Sequence, residues 1–168
     1  IVDLVSDDEG PFSPERAGRV PCRELINLCY SGKFDKKTMQ RKLRGNGGLK
    51  AYLNTIDVRE VEKMISEGNE YAKLIYDAMA YQIAKGIGEL ATVVEGKVNV
   101  TILTGGIAYS ENFTNMIKKR VSFICPVEVM AGENEMEALA YGALRVLRGE
   151  EIAKEYTDNI PKTNDQEA

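Results

Sequence analysis

The 168-residue sequence contains no histidine and no tryptophan, and only three of its residues are cysteines. Without histidine, the chain can form neither a catalytic triad with a histidine base nor a zinc site with histidine ligands. Cys22, Cys29 and Cys125 include no CxxC pair, which is the spacing typical of cysteine-only zinc sites. We expect the three thiols to be free and packed in the protein interior, as suits a reducing, cytoplasmic location.

Long apolar runs and an excess of positive charge are also absent. No apolar run approaches the roughly 20 residues that span a bilayer, so we expect no membrane association. The formal net charge of −4 argues against nucleic-acid binding. The basic cluster "KKTMQRKLR" interleaves its cations with Met39 and Leu43, which predicts the outer face of an amphipathic helix.

The phosphate-binding motifs GxGxxG and Walker A are missing, so the sequence supports neither a Rossmann site nor a P-loop site. An apolar fraction of 43% and a charged fraction of 29% are typical of one soluble globular domain. The chain opens with "IVDLV" and no initiator Met. We expect these five residues to form a strand whose partner is not in the sequence, and hence expect the chain to be a fragment of a longer protein.

Helical periodicity dominates the first two thirds of the chain. The loop "SDDEGPFSPERAGRVP" carries three prolines, which keep it extended. Helices are then predicted over residues 22–30, over Asp35–Arg44 with the C-cap signal "GNGG", from Asp57 onward, and over about Asn69–Glu95. Along the longest helix, an apolar stripe with steps of three and four predicts a core-facing side.

The last third alternates strands with helices. The pattern predicts a strand over Val98–Thr104, a helix over about Glu111–Arg120, a strand over Pro126–Met130 and a helix over about Glu133–Leu147. This order is typical of an α/β fold with parallel strands and covering helices. We expect one domain over residues 1–150 and a polar tail over 151–168, where "EYTDNIPKTNDQEA" is aperiodic.

Glycines follow both predicted strands of this last third. Gly105 with Gly106, and Gly132, fall at the carboxyl ends of parallel strands, which is the edge of an open α/β sheet where ligands bind. The helix after each turn would point unpaired N–H groups toward the same edge and favour an anion there. The alternative is that these glycines only supply the backbone freedom that a tight turn needs.

Five blocks of sequence, in this order, resemble the C-terminal half of butyrate kinases, which belong to the acetate kinase family. They extend over nearly the whole chain, from Ile1 to about Tyr156: "DEGPFSPERAGRVP", "GNGGLKAYLNTIDVREVEKM", "EGNEYAKLIYDAMAYQIAKGIG", "VTILTGGIAYSENF" and "AGENEMEALAYGALRVLRGEE". The resemblance implies a truncated actin-like ATPase domain, which is ribonuclease H-like, without its first strands. Where acetate kinases read G-I-G-E-N, this chain reads Gly106-Ile107-Ala108-Tyr109-Ser110.

The resemblance also implies an activity. It is the reversible phosphorylation of butanoate by ATP and Mg²⁺ to butanoyl phosphate and ADP, in a cytoplasmic homo-oligomer. The family's N-x-G-S and H-x-G-x-G phosphate elements would lie in an N-terminal domain upstream of Ile1, so this chain would be inactive alone. Two alternatives stay open: a kinase for acetate, propionate or a branched-chain acid, and an actin-like module that binds nucleotide without chemistry.

The resemblance implies that two segments contact the nucleotide. One begins at Thr104 and comprises Thr104, Gly105, Gly106, Ile107, Ala108, Tyr109 and Ser110. The other is a D-x-R tripeptide, found here as Asp57, Val58 and Arg59. Asp57 can instead be an N-cap, in a capping box with Glu60, and the two roles are compatible.

Arg16, in "SPERAG", falls where the family has an arginine at the phosphoryl-transfer centre, and a planar guanidinium can bridge two phosphoryl oxygens. The alternative is a surface ion pair with Glu15 or Asp8. Glu135, in "GENEME", corresponds to the family's Mg²⁺-associated acid, and Mg²⁺ needs only one or two carboxylates. Its alternative role is to stabilise the helix dipole.

Overall fold

A computed structural model of the chain describes residues 2–6 and 8–153. In chain order it contains α1 (Cys22–Cys29), α2 (Lys36–Leu43), α3 (Gly48–Leu53), α4 (Val58–Ser66), α5 (Glu70–Val93), β1 (Thr101–Gly105), a one-turn 3₁₀ helix (Gly106–Tyr109), α6 (Glu111–Val121), β2 (Val127–Ala131) and α7 (Glu135–Leu147). The chain divides into two compact units, Ile1–Gly132 and Glu133–Ala168.

The two strands form a parallel sheet in the first unit. Thr101 lies opposite Val127, and the pairing continues to Gly105 opposite Ala131. In both strands every second residue is half-buried and the others are exposed, so one face of the sheet packs against the protein and the other does not. The predicted strands and their parallel direction are confirmed, with boundaries shifted by one to three residues.

Helix α5 is the centre of the first unit. It packs against α3, α4 and α6, and its Ala72, Tyr76 and Met79 are at most 1% exposed. The predicted core stripe is confirmed for its first half. Toward the C-terminal end of α5, Ile83, Ile87 and Leu90 are only half-buried, and the buried residues there are Ala84 and Ala91.

Three of the predictions made above are wrong in detail. Residues 2–5 form no strand, because none of the strands among the described residues pairs with them to take their backbone hydrogen bonds. Helix α3 was not predicted, because the glycines that end α2 also begin this short helix. Cys22 and Cys29 are exposed, and only Cys125 is packed. Most of the predicted tail lies outside the described residues.

The second unit is described from Glu133 to Ala153 and consists mainly of α7. None of the residues of α7 is buried, and five of its large apolar side chains are exposed: Met136, Leu139, Tyr141, Leu144 and Leu147. The predicted helix is present, but its first residue is Glu135 rather than Glu133.

Candidate functional site: two backbone segments joined by a carboxylate

The two glycine turns meet at the carboxyl ends of β1 and β2. The Gly105 N–H donates to the Gly132 carbonyl at 3.2 Å, and the Gly132 N–H donates back to the Gly105 carbonyl at 3.1 Å. The Thr104 hydroxyl adds a third bond to Gly132, also at 3.2 Å. The prediction that both turns converge on one edge of the sheet is therefore confirmed.

Gly105 and Gly106 differ in why they are glycines. Gly105 has φ +89° and ψ 175°, a conformation that side chains of L-residues rarely allow. Gly106 has no positive φ, it is exposed, and a Cβ built on it would meet no atom within 4 Å. The fold therefore explains Gly105, whereas neither backbone strain nor packing in this chain explains Gly106.

The predicted helix after these glycines is confirmed and begins at Glu111, but it does not follow the strand directly. One turn of 3₁₀ helix, Gly106–Tyr109, separates the strand from α6. The first turn of α6 is capped, because the Phe113 N–H donates to the Ser110 Oγ at 3.0 Å, and it carries the acidic Glu111. An anion held by the N-terminus of α6 immediately beside Gly105 is therefore not what this geometry offers.

Tyr109 places an aromatic ring beside the crossing of the two turns. Tyr109 is 73% exposed, and a Cβ built on Gly132 would lie 2.7 Å from the Tyr109 hydroxyl. Ala108 next to it is buried, which holds the 3₁₀ turn against the protein. The exposed surface of the segment is thus open backbone at Gly106 followed by one exposed ring.

Asp57 and Arg59 form a fork-shaped ion pair at the start of α4. Arg59 Nε donates to Asp57 Oδ1 at 2.9 Å, and Arg59 Nη2 donates to Asp57 Oδ2 at 2.6 Å. The hydrogen bonds from the side chain and backbone of Arg59 lower the pKa of Asp57 to about 2. The Arg59 side chain is 89% exposed, so its outer face is accessible to a ligand.

The N-cap prediction for Asp57 is confirmed, but the capping box is wrong. Asp57 accepts from the Arg59 N–H at 2.9 Å. Its own N–H donates to the Thr55 hydroxyl, and Glu60 accepts from that same hydroxyl instead of reaching back to the Asp57 backbone. A buried threonine two residues upstream has taken the place of the expected partner.

Glu62 joins the two segments, and it was not predicted from the sequence. Its Oε1 accepts from the Ser110 hydroxyl and from the Tyr76 hydroxyl, each at 2.5 Å. Glu62 lies on α4 four residues after Val58, which is about 6 Å along a helix. Glu62 therefore links the helix that begins with the Asp57–Arg59 pair to Ser110, the last residue of the Gly106–Ser110 segment. A charged residue within the apolar rows of an amphipathic helix was the signal that could have identified it.

Tyr76 supports this contact from α5. It is 1% exposed, and its ring packs edge-on against Phe113 with 5.1 Å between ring centroids. Burial, and next the bond to Glu62, raise the pKa of the Tyr76 hydroxyl, so it stays protonated and donates.

Arg16 lies on a loop that is fixed by backbone hydrogen bonds. Its own N–H donates to the Ser13 hydroxyl at 3.2 Å, and its backbone pairs with that of Arg44 after α2. The neighbouring Ala17 N–H donates to the Leu43 carbonyl at 2.8 Å, and Phe12 is inserted in the core with 5% exposure. The loop therefore presents the exposed Arg16 from a well-held backbone.

Glu135 is the first residue of α7, in the second unit. It is exposed, and the preceding Asn134 makes no side-chain cap bond. Among residues 2–6 and 8–153, no group of three or more cysteine, aspartate or glutamate side chains could hold a metal ion. One carboxylate still fits Mg²⁺, which keeps most of its waters. In the same residues no helix is both long enough and apolar enough to cross a bilayer.

Comparison with curated proteins gives relatives that are named butyrate kinases. The chain is 54% identical over 144 residues to the probable butyrate kinase of Bacteroides thetaiotaomicron, covering 86% of this chain and 41% of that protein. It is 53% identical over 155 residues to butyrate kinase 1 of Clostridium acetobutylicum, covering 92% of this chain and 44% of the relative. The chain thus spans less than half the length of the curated relatives it matches.

Solved structures share the fold. The acetate kinase of Porphyromonas gingivalis superposes with a TM-score of 0.74 at 21% identity, over 83% of this chain and 41% of that one. The acetate kinase of Entamoeba histolytica gives 0.71 at 16% identity, over 83% of this chain and 44% of that one. The predicted α/β fold class is thereby confirmed as that of part of an acetate kinase.

The family model of the Acetokinase family matches residues 15–147, which is most of the chain. The match begins before Arg16 and ends at the last residue of α7, so it includes every candidate residue named above. The chain therefore belongs to the acetokinase family.

Proposed function

We propose that this chain supplies the nucleotide-binding part of a kinase that transfers the γ-phosphoryl group of ATP to butanoate. The observation that carries the proposal is the joining of Gly106–Ser110 to the start of α4 through Glu62. This hydrogen bond links α4, whose start carries one segment that the acetokinase resemblance implicates in nucleotide binding, to Ser110 at the end of the other. The names of the relatives, at 51–54% identity, favour butanoate as the acceptor.

The adenosine part of ATP or ADP fits the open backbone of the first segment. Gly106 offers space that a side chain would fill, and Tyr109 offers an exposed ring beside it. Arg59 is held in place by Asp57 and keeps its outer face exposed. A ligand with a planar base and a negatively charged tail matches such a combination of open backbone, ring and cation.

Two further residues are assigned to the phosphates. The Arg16 guanidinium contacts the transferring phosphoryl group and balances charge on its oxygens as the bond to ADP loosens. Glu135 supplies one carboxylate for a hydrated Mg²⁺ ion. When bound, Mg²⁺ neutralises negative charge on the phosphate oxygens.

The remainder of the active site is assigned to a further domain, because the chain spans 41–44% of the length of its relatives. That domain would carry the other phosphate contacts and part of the acyl pocket. Assembly as a homo-oligomer and a cytoplasmic location stay predictions.

The test is an acyl phosphate assay on the complete kinase that contains this chain. The protein is incubated with ATP, Mg²⁺ and butyrate, acetate, propionate or a branched-chain acid, and the acyl phosphate is trapped as a hydroxamate. Turnover that is fastest with butyrate supports the proposal, and the reverse reaction with butanoyl phosphate and ADP measures the preferred direction. Turnover that is fastest with another acid would identify a different acceptor. Nucleotide binding without any acyl phosphate would instead identify a binding module.

A further inference from the structure

The Gly106–Ser110 segment is held to the protein at its beginning, its middle and its end. Its beginning is fixed by the hydrogen bonds between Gly105 and Gly132, and its middle by the buried Ala108 and by Ile107, which packs against the core. Gly106 and Tyr109 are exposed. The remaining point is its end, where the hydroxyl of Ser110 donates to Glu62, accepts from the Phe113 N–H and lies 3.2 Å from the Tyr76 hydroxyl. The Ser110 carbonyl also accepts from the N–H and the hydroxyl of Thr114 in the first turn of α6.

Glu62 is well suited to act as a fixed point. One oxygen of its carboxylate, Oε1, accepts from two hydroxyl groups, and hydrogen bonds to a carboxylate are stronger than neutral ones. One donor, Tyr76, is fully buried and packed against Phe113, so it cannot follow a loop movement without disturbing the core. The other donor, Ser110, belongs to the segment itself. Tyr76 therefore orients Glu62, and Glu62 orients Ser110 together with the Tyr76 hydroxyl, which lies 3.2 Å from the Ser110 hydroxyl.

We propose that Glu62, held by Tyr76, is a positioning residue that fixes the Gly106–Ser110 segment for nucleotide and sets its distance from the Asp57–Arg59 pair. The inference rests on the proposed nucleotide site. Glu62 contacts no ligand in this role, and it acts through Ser110. Because Asp57 is the N-cap of the helix that carries Glu62, a displacement of Ser110 relative to the Asp57–Arg59 pair requires the Glu62–Ser110 bond to break.

The positioning role of Glu62 and a purely structural role predict different effects on the stability of the first unit. The apolar core around Val61, Ile75 and Met79 does not depend on this bond, since these side chains are buried against other apolar groups. Loss of Glu62 should therefore loosen the segment locally rather than lower the stability of the whole unit in proportion.

The experiment compares Glu62→Ala, Glu62→Gln and Tyr76→Phe in the complete kinase. Glu62→Ala removes both bonds, so the Kd for MgADP should rise about tenfold or more. Glu62→Gln keeps an oxygen in place of Oε1 that can accept from both hydroxyls, so it should recover most of the affinity. Tyr76→Phe keeps the ring and removes the bond to Glu62 and the 3.2 Å contact with the Ser110 hydroxyl, so its Kd should lie between those of the wild type and Glu62→Ala.

The matched control is Asn69→Ala. This change removes the N-cap bond that Asn69 accepts from the Ala72 N–H at 3.0 Å, and none of the bonds of Glu62. Its melting temperature should fall while its Kd for MgADP stays that of the wild type. Backbone hydrogen exchange of residues 106–113 should accelerate in Glu62→Ala and not in Asn69→Ala.

Three results would overturn the proposal. The first is a folded Glu62→Ala protein whose Kd for MgADP and hydrogen exchange over residues 106–113 are those of the wild type. The second is an Asn69→Ala protein that has the same loss of melting temperature as Glu62→Ala and loses as much affinity for MgADP. If Glu62→Ala does not fold, a Tyr76→Phe protein with wild-type affinity and exchange is the third. A wild-type kinase that does not bind MgADP would refute the proposed function instead, whereas faster exchange in Glu62→Ala would still show the anchoring.

Discussion

Replacing Gly106 by Val tests whether the nucleotide lies at this position without disturbing the fold. A Cβ at this position meets no atom within 4 Å, the residue is exposed and its φ is not positive, so the substitution should leave the fold intact. If the adenosine of ATP lies against the backbone here, the added branched side chain occupies part of its space. We expect the KM for ATP to rise about tenfold or more, which corresponds to about 1.4 kcal/mol of lost binding free energy.

The assay measures KM for ATP and melting temperature in the complete kinase, with Gly88→Val as the matched control. Gly88 lies in α5, and a Cβ there also meets no atom within 4 Å. Gly105→Ala is the contrasting variant, because the φ of +89° at Gly105 makes any side chain strained. Its melting temperature should fall. An unchanged KM for ATP in a stably folded Gly106→Val protein would refute the assignment of this segment to the nucleotide.

Three other predictions concern catalysis and pH. Arg16→Ala should lower kcat about a hundredfold to a thousandfold, which is the scale for the loss of one transition-state donor. Arg16→Lys should recover only part of the lost kcat. A kcat for Arg16→Ala within about threefold of wild type would contradict the catalytic role. The 168-residue chain alone should show no turnover with ATP, Mg²⁺ and butyrate, because half of an interdomain site cannot align donor and acceptor; turnover equal to that of the complete kinase would disprove this. The pKa of Asp57 is lowered from 3.8 to about 2 in the folded protein, so its contribution to stability is present above pH 3.8 and is lost as the pH falls toward 2. The stability difference between wild type and Asp57→Asn, followed by circular dichroism during acid unfolding, should therefore shrink in that window, and a constant difference would contradict the ion pair with Arg59.

The elements with strong local signals were predictable from the sequence. The long helix α5 and the two strands followed by glycines were placed within a few residues, because their periodicities of 3.6 and 2 are local properties. The strand expected over the first five residues was wrong, because strand formation depends on a partner elsewhere. The 3₁₀ turn was missed because four residues carry too little pattern.

The candidate site was predictable only in part. The crossing of Gly105 with Gly132 followed from the rule that carboxyl ends of parallel strands share an edge. Glu62 could not be assigned a partner in advance, because Tyr76 and Ser110 lie 14 and 48 residues away along the chain. Contacts between side chains so distant in sequence follow from packing and not from local pattern.

The most direct test of the central claim is a crystal structure of the complete kinase with MgADP bound. The account predicts the adenosine against the backbone of Gly105–Ser110, with the Asp57–Arg59 pair beside it and Glu62 still bonded to Ser110. A nucleotide bound elsewhere on the protein, with no contact to either segment, would contradict it.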